Sequence, residues 1–260
     1  MSDPCLPPEL QDHIVDLLHD TRDTLKSCCL VSKSWIPCAR KHLFAHIVFR
    51  AVKDLESWKN TFQDPSTSPA CYAKSLAIKF SPVITTADVE EGGWISTFSR
   101  VEDFQLNLVL QPTNEPMISL IPFHGFSSVL TSLFVEFSTH PLSRVSNLIH
   151  SFPSLKNLYL LNHDLFYGDD GSDDQLGNSP PPSSTFFTGF LNLSLRPGMS
   201  PIIPRLLPPS CSHFRGLHLS WFCEQDVLFS AELVERCASS LEFLQIDCFV
   251  GKFIQYQHPS

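Results

Sequence analysis

The sequence predicts an α/β fold: three short helices in residues 1–50, then a solenoid of parallel strands over residues 51–260, with helices or turns outside. Two observations carry that prediction. In the first fifty residues, apolar side chains recur at helical spacing in three runs separated by polar breaks. Beyond Arg50 a short triplet, apolar-x-x-apolar-x-apolar, returns at even intervals, as expected when each strand is one unit of a stacked array.

The first helix opens in LPPELQDHIVDLL, which begins at Leu6. Pro7 and Pro8 suit a helix start, where a missing N–H has no intrahelical partner to lose. Leu10, Ile14, Leu17 and Leu18 follow at i, i+4, i+7 and i+8 and form one stripe. Burying four such side chains is worth roughly 6–12 kcal/mol before the entropy of ordering is subtracted. Asp20 to Asp23 break the pattern, and Asp23 can cap a second helix. Leu25, Cys28, Cys29, Leu30 and Val31 then form a broad apolar surface. Ser34 can cap a third helix, with Pro37 in its first turn and Ala39, Leu43 and Phe44 on its apolar side. Three helices in so few residues make a small core, and such segments usually need a metal, disulfides or a partner. Neither a C-x-x-C pair nor a zinc-finger spacing of Cys with His occurs, so a partner or the following domain must cover the apolar surplus.

The run from Leu6 to Phe49 resembles an F-box: "LPPEL", then Ile14 and Leu18, then "LKSCCLVSKSW", then Ala39 and "LF". The Leu-Pro opening, the Leu-Val-Ser-Lys-x-Trp segment and the closing Leu-Phe stand in the family's order and near its spacing. The resemblance implies docking onto the Skp-type linker subunit of cullin-based ubiquitin ligases. Carried over residue by residue, it implies a docking surface of Leu6, Pro7, Leu10, Ile14, Leu18, Leu25, Leu30 and Val31. Trp35 and Phe44 are expected to hold the three helices together. Cys28 and Cys29 stand where the family commonly has bulkier apolar residues; thiols act there as small hydrophobes.

The repeating triplet falls at Phe44/Ile47/Phe49, Ala73/Leu76/Ile78, Val101/Phe104/Leu106, Leu130/Leu133/Val135 and Leu155/Leu158/Leu160. It returns at Phe190/Leu193/Leu195, Phe214/Leu217/Leu219 and Leu241/Leu244/Ile246. In so apolar a chain single triplets arise by chance, and the even spacing is the signal. Six of the seven intervals between middle residues lie between 24 and 29, inside the window of leucine-rich repeats. The one longer interval contains "GDDGSDDQLGNSPPPSS", residues 168–184, which reads as an acidic, Pro- and Ser-rich insertion. "VSNLIHSF" and "LFSAELVERCASS" are helix-like and would each return the chain to the next parallel strand. The repeat's usual Asn or Cys after the strand is absent, so the array resembles irregular leucine-rich repeats. An F-box followed by such repeats is a recognised family arrangement, in which the repeats receive the substrate.

On each strand, residues alternating with the inward pair point to the concave face. They are Ala77 and Lys79, Gln105 and Asn107, Phe134 and Glu136, Tyr159, Ser194 and Arg196, His218, and Gln245 and Asp247. Phe134 and Tyr159 would be natural anchors for a protein partner. The final strand, at Ile246, is followed by only fourteen residues, about half a repeat. The tail "GKFIQYQHPS" is thus either a minimal cap or the mark of a shortened receptor.

Composition narrows the function classes. A net charge of −9 disfavours nucleic acid, whose phosphates attract a basic surface. No apolar run suffices for a membrane span and no signal peptide opens the chain. Nine cysteines, an odd number, read as reduced thiols of a cytoplasmic or nuclear protein. No phosphate-binding loop, H-E-x-x-H or G-x-S-x-G occurs, and neither a cofactor nor a metal site is expected; the Asp169–Asp174 cluster lacks the ligand order of a calcium loop. The expected function is a non-enzymatic substrate adaptor of an SCF-type ubiquitin ligase. Its partners would be the linker subunit, through it a cullin, and a target protein. Two alternatives stay open: an F-box scaffold or competitor without ligase activity, and an enzyme with a Cys nucleophile.

Overall fold

The structure is a computed structural model that describes residues 6–80, 93–108, 128–137, 142–162, 187–194, 207, 213–221 and 225–248. The insertion at 168–184, Arg196 and the tail at 251–260 lie outside the described residues. The chain is α/β, with six α-helices and eight strands among the described residues. It divides into two compact units. One comprises Met1–Leu106 with Met117–Leu130, the other Asn107–Pro116 with Thr131–Ser260.

The first unit begins with α1 (Pro8–Leu17), and Pro8 indeed occupies its first turn. Only Gln11 and Val15 of α1 are buried, with Leu18 packed at the edge of the same core. Residues 11, 15 and 18 therefore form the inward stripe, and Leu10, Ile14 and Leu17 form a second stripe, one residue out of phase, that stays exposed. One residue on a helix is a turn of about 100°, so both stripes share an apolar side yet only one meets the core.

In the second helix, α2 (Arg22–Val31), Thr21 and not Asp23 occupies the N-cap position, without a side-chain capping bond. Asp23 stands in the first turn, where its charge suits the positive end of the helix, and accepts a 2.8 Å hydrogen bond from Lys26 Nζ. Ser32 caps a single 3-10 turn, Lys33–Trp35, and α3 starts only at Ile36 (Ile36–Leu43) with Pro37 in its first turn. The Ser34 hydroxyl, expected as a cap, donates instead to Gln11 Oε1 at 2.7 Å. Gln11 Nε2 donates in turn to the Leu6 carbonyl, so a buried amide ties the chain's opening to the 3-10 turn. The core joins Val15, Leu25, Cys28 and Ala39, with Leu18, Cys29, Trp35, Cys38 and Leu43 against it. Trp35 thus does hold the helices together. Phe44 does not: its ring meets Trp58 of α4 (Val52–Thr61) edge-on at 6.3 Å. The helix ends before Phe44 and directs that ring toward the following segment.

Strands β1 (His46–Phe49), β2 (Ser75–Ile78) and β3 (Asp103–Leu108) follow. Ile47 pairs with Leu76 and Leu76 with Phe104, in parallel. Phe49, Trp58, Trp94 and Phe98 make an aromatic cluster beside β1, with ring centroids 5.7–6.5 Å apart where they touch. Asp54 closes the start of α4 by accepting from the Arg50 and Ala51 amides at 2.9 and 3.1 Å.

The second unit carries β4 (Ser132–Phe137), α5 (Leu142–His150), β5 (Asn157–Asn162), β6 (Phe190–Ser194), β7 (Gly216–Trp221), α6 (Gln225–Cys237) and β8 (Phe243–Cys248). From β4 to β8 each strand pairs in parallel with the next in sequence, an order compatible with a solenoid-like arrangement. Both helices expected between strands are present as α5 and α6. Leu133, Leu158, Leu191, Leu217 and Leu244 stand in one row across the ladder.

One triplet is misplaced. In β6 the inward pair is Leu191 and Leu193, not Leu193 and Leu195, and the intervals around it become 33 and 26 residues in place of 35 and 24. Phe190, taken as the first apolar position of that triplet, is half exposed and lies over Gly216, where an added Cβ would meet its ring at 2.1 Å. Phe187 is the buried aromatic, stacked on Phe214 at 5.5 Å.

Candidate functional site

Two outward surfaces gather most of the residues singled out in the sequence. On the helical subdomain, Leu6, Pro7, Leu10, Ile14, Leu30 and Val31 are exposed; Leu30 is 88% and Val31 67% accessible. Leu17, left out of the docking set, is 68% accessible and completes the outer stripe of α1. Leu25 is the opposite case. It is 1% accessible at the centre of the helical core, and Leu18 is half-buried at its margin. As folded, these two support the surface from beneath.

The uncovered residues have a simple physical consequence. Large apolar side chains held on a folded helix gain roughly 25 cal/mol for each Å² that a partner removes from water. Their helical anchors at i, i+4 and i+7 suit an apolar groove. Gln11, legible in the sequence only as a polar residue between apolar ones, fixes the position of Leu6 through its buried amide.

The second surface is the outer face of the strands. In the first unit Ala77 is buried, Lys79 exposed and Gln105 half-buried. In the second unit Phe134 and Tyr159 stand opposite one another on β4 and β5 with rings stacked at 6.4 Å. The same row continues through Asn192, His218 and Gln245. Asn192 escaped the sequence reading because the β6 register was displaced by two residues. The row beside it includes Glu136, Ser194 and Asp247.

These polar groups are largely paired with each other. Asn107 Nδ2 donates to Glu136 Oε2 at 2.9 Å. Asn192 Nδ2 meets His218 Nδ1 at 2.9 Å, and His218 Nε2 meets Asp247 Oδ2 at 2.7 Å. With the Asn192 amide donating to Nδ1, the ring's proton lies on Nε2 and is donated to Asp247. That hydrogen bond, aided by a weaker one from Gln245, holds the Asp247 carboxyl below the usual aspartate range.

Two other features bear on chemistry. A cavity of about 210 Å³ lined by Trp58, Lys59, Phe62, Gln63, Ser68, Trp94 and Thr97 is smaller than the roughly 300–1,000 Å³ of typical ligand sites. Cys38 lies beside His42 and Asp16, but the carboxylate engages both: Asp16 Oδ1 is 2.6 Å from His42 Nε2 and 3.6 Å from Cys38 Sγ. Burial, with the charges of Asp16 and Asp12 behind it, pushes the Cys38 thiol up to about 11. A nucleophilic thiol needs the reverse, an imidazole within reach and a depressed proton affinity.

Among the described residues, no helix is long and apolar enough to cross a membrane. Comparison of the chain with protein-family models, curated proteins and solved structures finds no match.

Proposed function

We propose that the chain is a substrate-recognition adaptor of a cullin-based ubiquitin ligase, acting in the cytosol or nucleus. Residues 1–50 serve as an F-box that docks a Skp-type linker subunit, and irregular leucine-rich repeats in residues 51–260 hold a target protein. The chain breaks no bond itself; it raises the effective concentration of target near the conjugating enzyme.

The observation that carries this reading is the uncovered stripe of Leu10, Ile14 and Leu17 beside a core that uses Gln11, Val15 and Leu18. It agrees with the order of motifs in "LPPEL" and "LVSKSW". The outer strand face, with Phe134 stacked on Tyr159 and a polar row beside them, suits a protein ligand.

Co-expression with a Skp-type subunit tests the docking step. Wild type is expected to co-purify, and a Leu10→Ala/Ile14→Ala double variant to remain folded and lose the partner. A well-folded wild type that fails to bind sinks the adaptor reading. Recovery of the linker without any cullin would assign the chain as a scaffold instead.

A further inference from the structure

We propose that Asp16, Cys38 and His42 form a binding site for a transition-metal dication of the zinc type, fastening α1 to α3. The three donor atoms lie within 4.8 Å of one another. Cys38 and His42 are four residues apart on α3, which puts both on one face of that helix, and Asp16 reaches them from the end of α1. Zinc–donor bonds of about 2.0–2.3 Å in a tetrahedron place ligand atoms about 3.3–3.7 Å apart. The Asp16–Cys38 separation of 3.6 Å already fits, the 2.6 Å Asp16–His42 contact has to open, and the Cys38–His42 pair, within 4.8 Å, has to settle into the same range by side-chain rotation.

The donor set selects the class of ion. One sulfur, one imidazole nitrogen and one carboxylate oxygen suit zinc or cobalt, whereas magnesium and calcium take oxygen alone. The His19 ring lies 6.1 Å from that of His42 at a tilt, but its nitrogens are engaged elsewhere, Nδ1 with the Asp16 carbonyl oxygen and Nε2 beside Asp20. A solvent molecule would complete the tetrahedron when an ion binds. Asp16 supplies the negative charge that favours a dication at this place. Binding then displaces the Cys38 proton to solvent as the sulfur–metal bond forms.

The helical core is small, and a bond between its first and third helices adds what so short a segment lacks. The sequence signal was present as Cys38-x-x-x-His42, but the carboxylate arrives from another helix and no spacing rule contains it. The site does not depend on the F-box reading.

The test uses tag-free full-length protein stripped with chelator and titrated with cobalt, then zinc. One equivalent of cobalt is expected to give tetrahedral d–d bands and a sulfur-to-cobalt charge-transfer band, both bleached by zinc. Cys38→Ser should abolish the charge-transfer band, and His42→Ala should weaken binding by about tenfold or more. Cys29→Ser, in the same core but outside the cluster, should leave both unchanged. Zinc should also raise the thermal midpoint of wild type and protect Cys38 from alkylation, a readout that survives if a variant misfolds. Folded wild type without the charge-transfer band, or with Cys38 alkylated equally fast in zinc, overturns the site.

Discussion

The helical subdomain and the strands of the second unit treat their outward side chains in opposite ways. On α1 the outward stripe is apolar and stands bare, one residue out of phase with the stripe that makes the core. On β4 to β8 the outward rows are stacked or hydrogen-bonded to their own neighbours, as Phe134 is to Tyr159 and His218 to Asp247. A partner gains from covering the first surface merely by excluding water. At the second it must replace bonds already made, so contact there is a matter of fit and selectivity. Under the proposed adaptor function, the first surface would serve as the tether and the second as the receptor.

The largest expected effect tests which aromatic ring at the start of β6 is buried. Phe187→Ala should cost about 3–5 kcal/mol, because it removes a fully buried ring stacked on Phe214. Phe190→Ala removes a half-exposed ring and should cost under about 1 kcal/mol. Urea denaturation of both variants decides between the two rings. Equal losses would erase the contrast between the buried Phe187 and the half-exposed Phe190.

Next in size is the same contrast on the helices. Leu25→Ala should destabilise the helical subdomain by about 2–5 kcal/mol, since Leu25 lies at the centre of a small core. Leu30→Ala, on the same helix but at the surface, should stay within about 0.5 kcal/mol of wild type. Tryptophan fluorescence through Trp35 can follow both, as that ring packs on the core. A large loss at Leu30 would mean that the surface is covered within the chain and is not available to a partner.

How much of this the sequence disclosed depends on the kind of period involved. Helices α1 to α3 were legible as elements, yet their caps were not. Thr21 takes the N-cap position of α2 and Ser32 caps the 3-10 turn, where Asp23 and Ser34 had the composition to cap, because the turns between helices set where each begins. The strand array was legible because its inward pairs repeat, and seven of the eight triplets fall in place. The sixth slipped by two residues, a shift that preserves the face of a strand and so leaves no trace in an alternating pattern. Hence Ser194 was placed on the outer face correctly, while Asn192 was missed. Leu25 was assigned to a surface because an apolar helix face looks the same whether a core or a partner covers it.

A third contrast separates a half-buried histidine whose ring nitrogens are covered from a hydrogen-bonded aspartate on the outer strand face. His150, at the end of α5, has neither ring nitrogen partnered among the described residues, and burial holds its proton affinity below the ordinary value. Folded chain keeps the ring neutral, whereas unfolded chain takes up a proton below about pH 6.5. That stability is whole above pH 6.5 and is lost as pH falls toward the folded value. Wild type should therefore weaken between pH 7 and pH 5 more than His150→Leu does. Equal slopes in urea midpoints would show that the ring is hydrated.

The smallest effect lies on the outer strand face, where solvent screens the pair. Asp247 is held below the usual aspartate range chiefly by the hydrogen bond from His218, so it contributes stability above about pH 3.8 and loses it as pH falls through its lowered folded value. Asp247→Asn keeps an oxygen for His218 Nε2 but removes the charge. The gap between wild type and variant should be slight at pH 7 and narrow as pH falls below about 3.8, read from urea midpoints. A gap that does not narrow with acid would assign the contribution of Asp247 to shape instead of charge. The outer face would then be held by packing, as the helical core is, and its polar row would be open to a ligand at little cost.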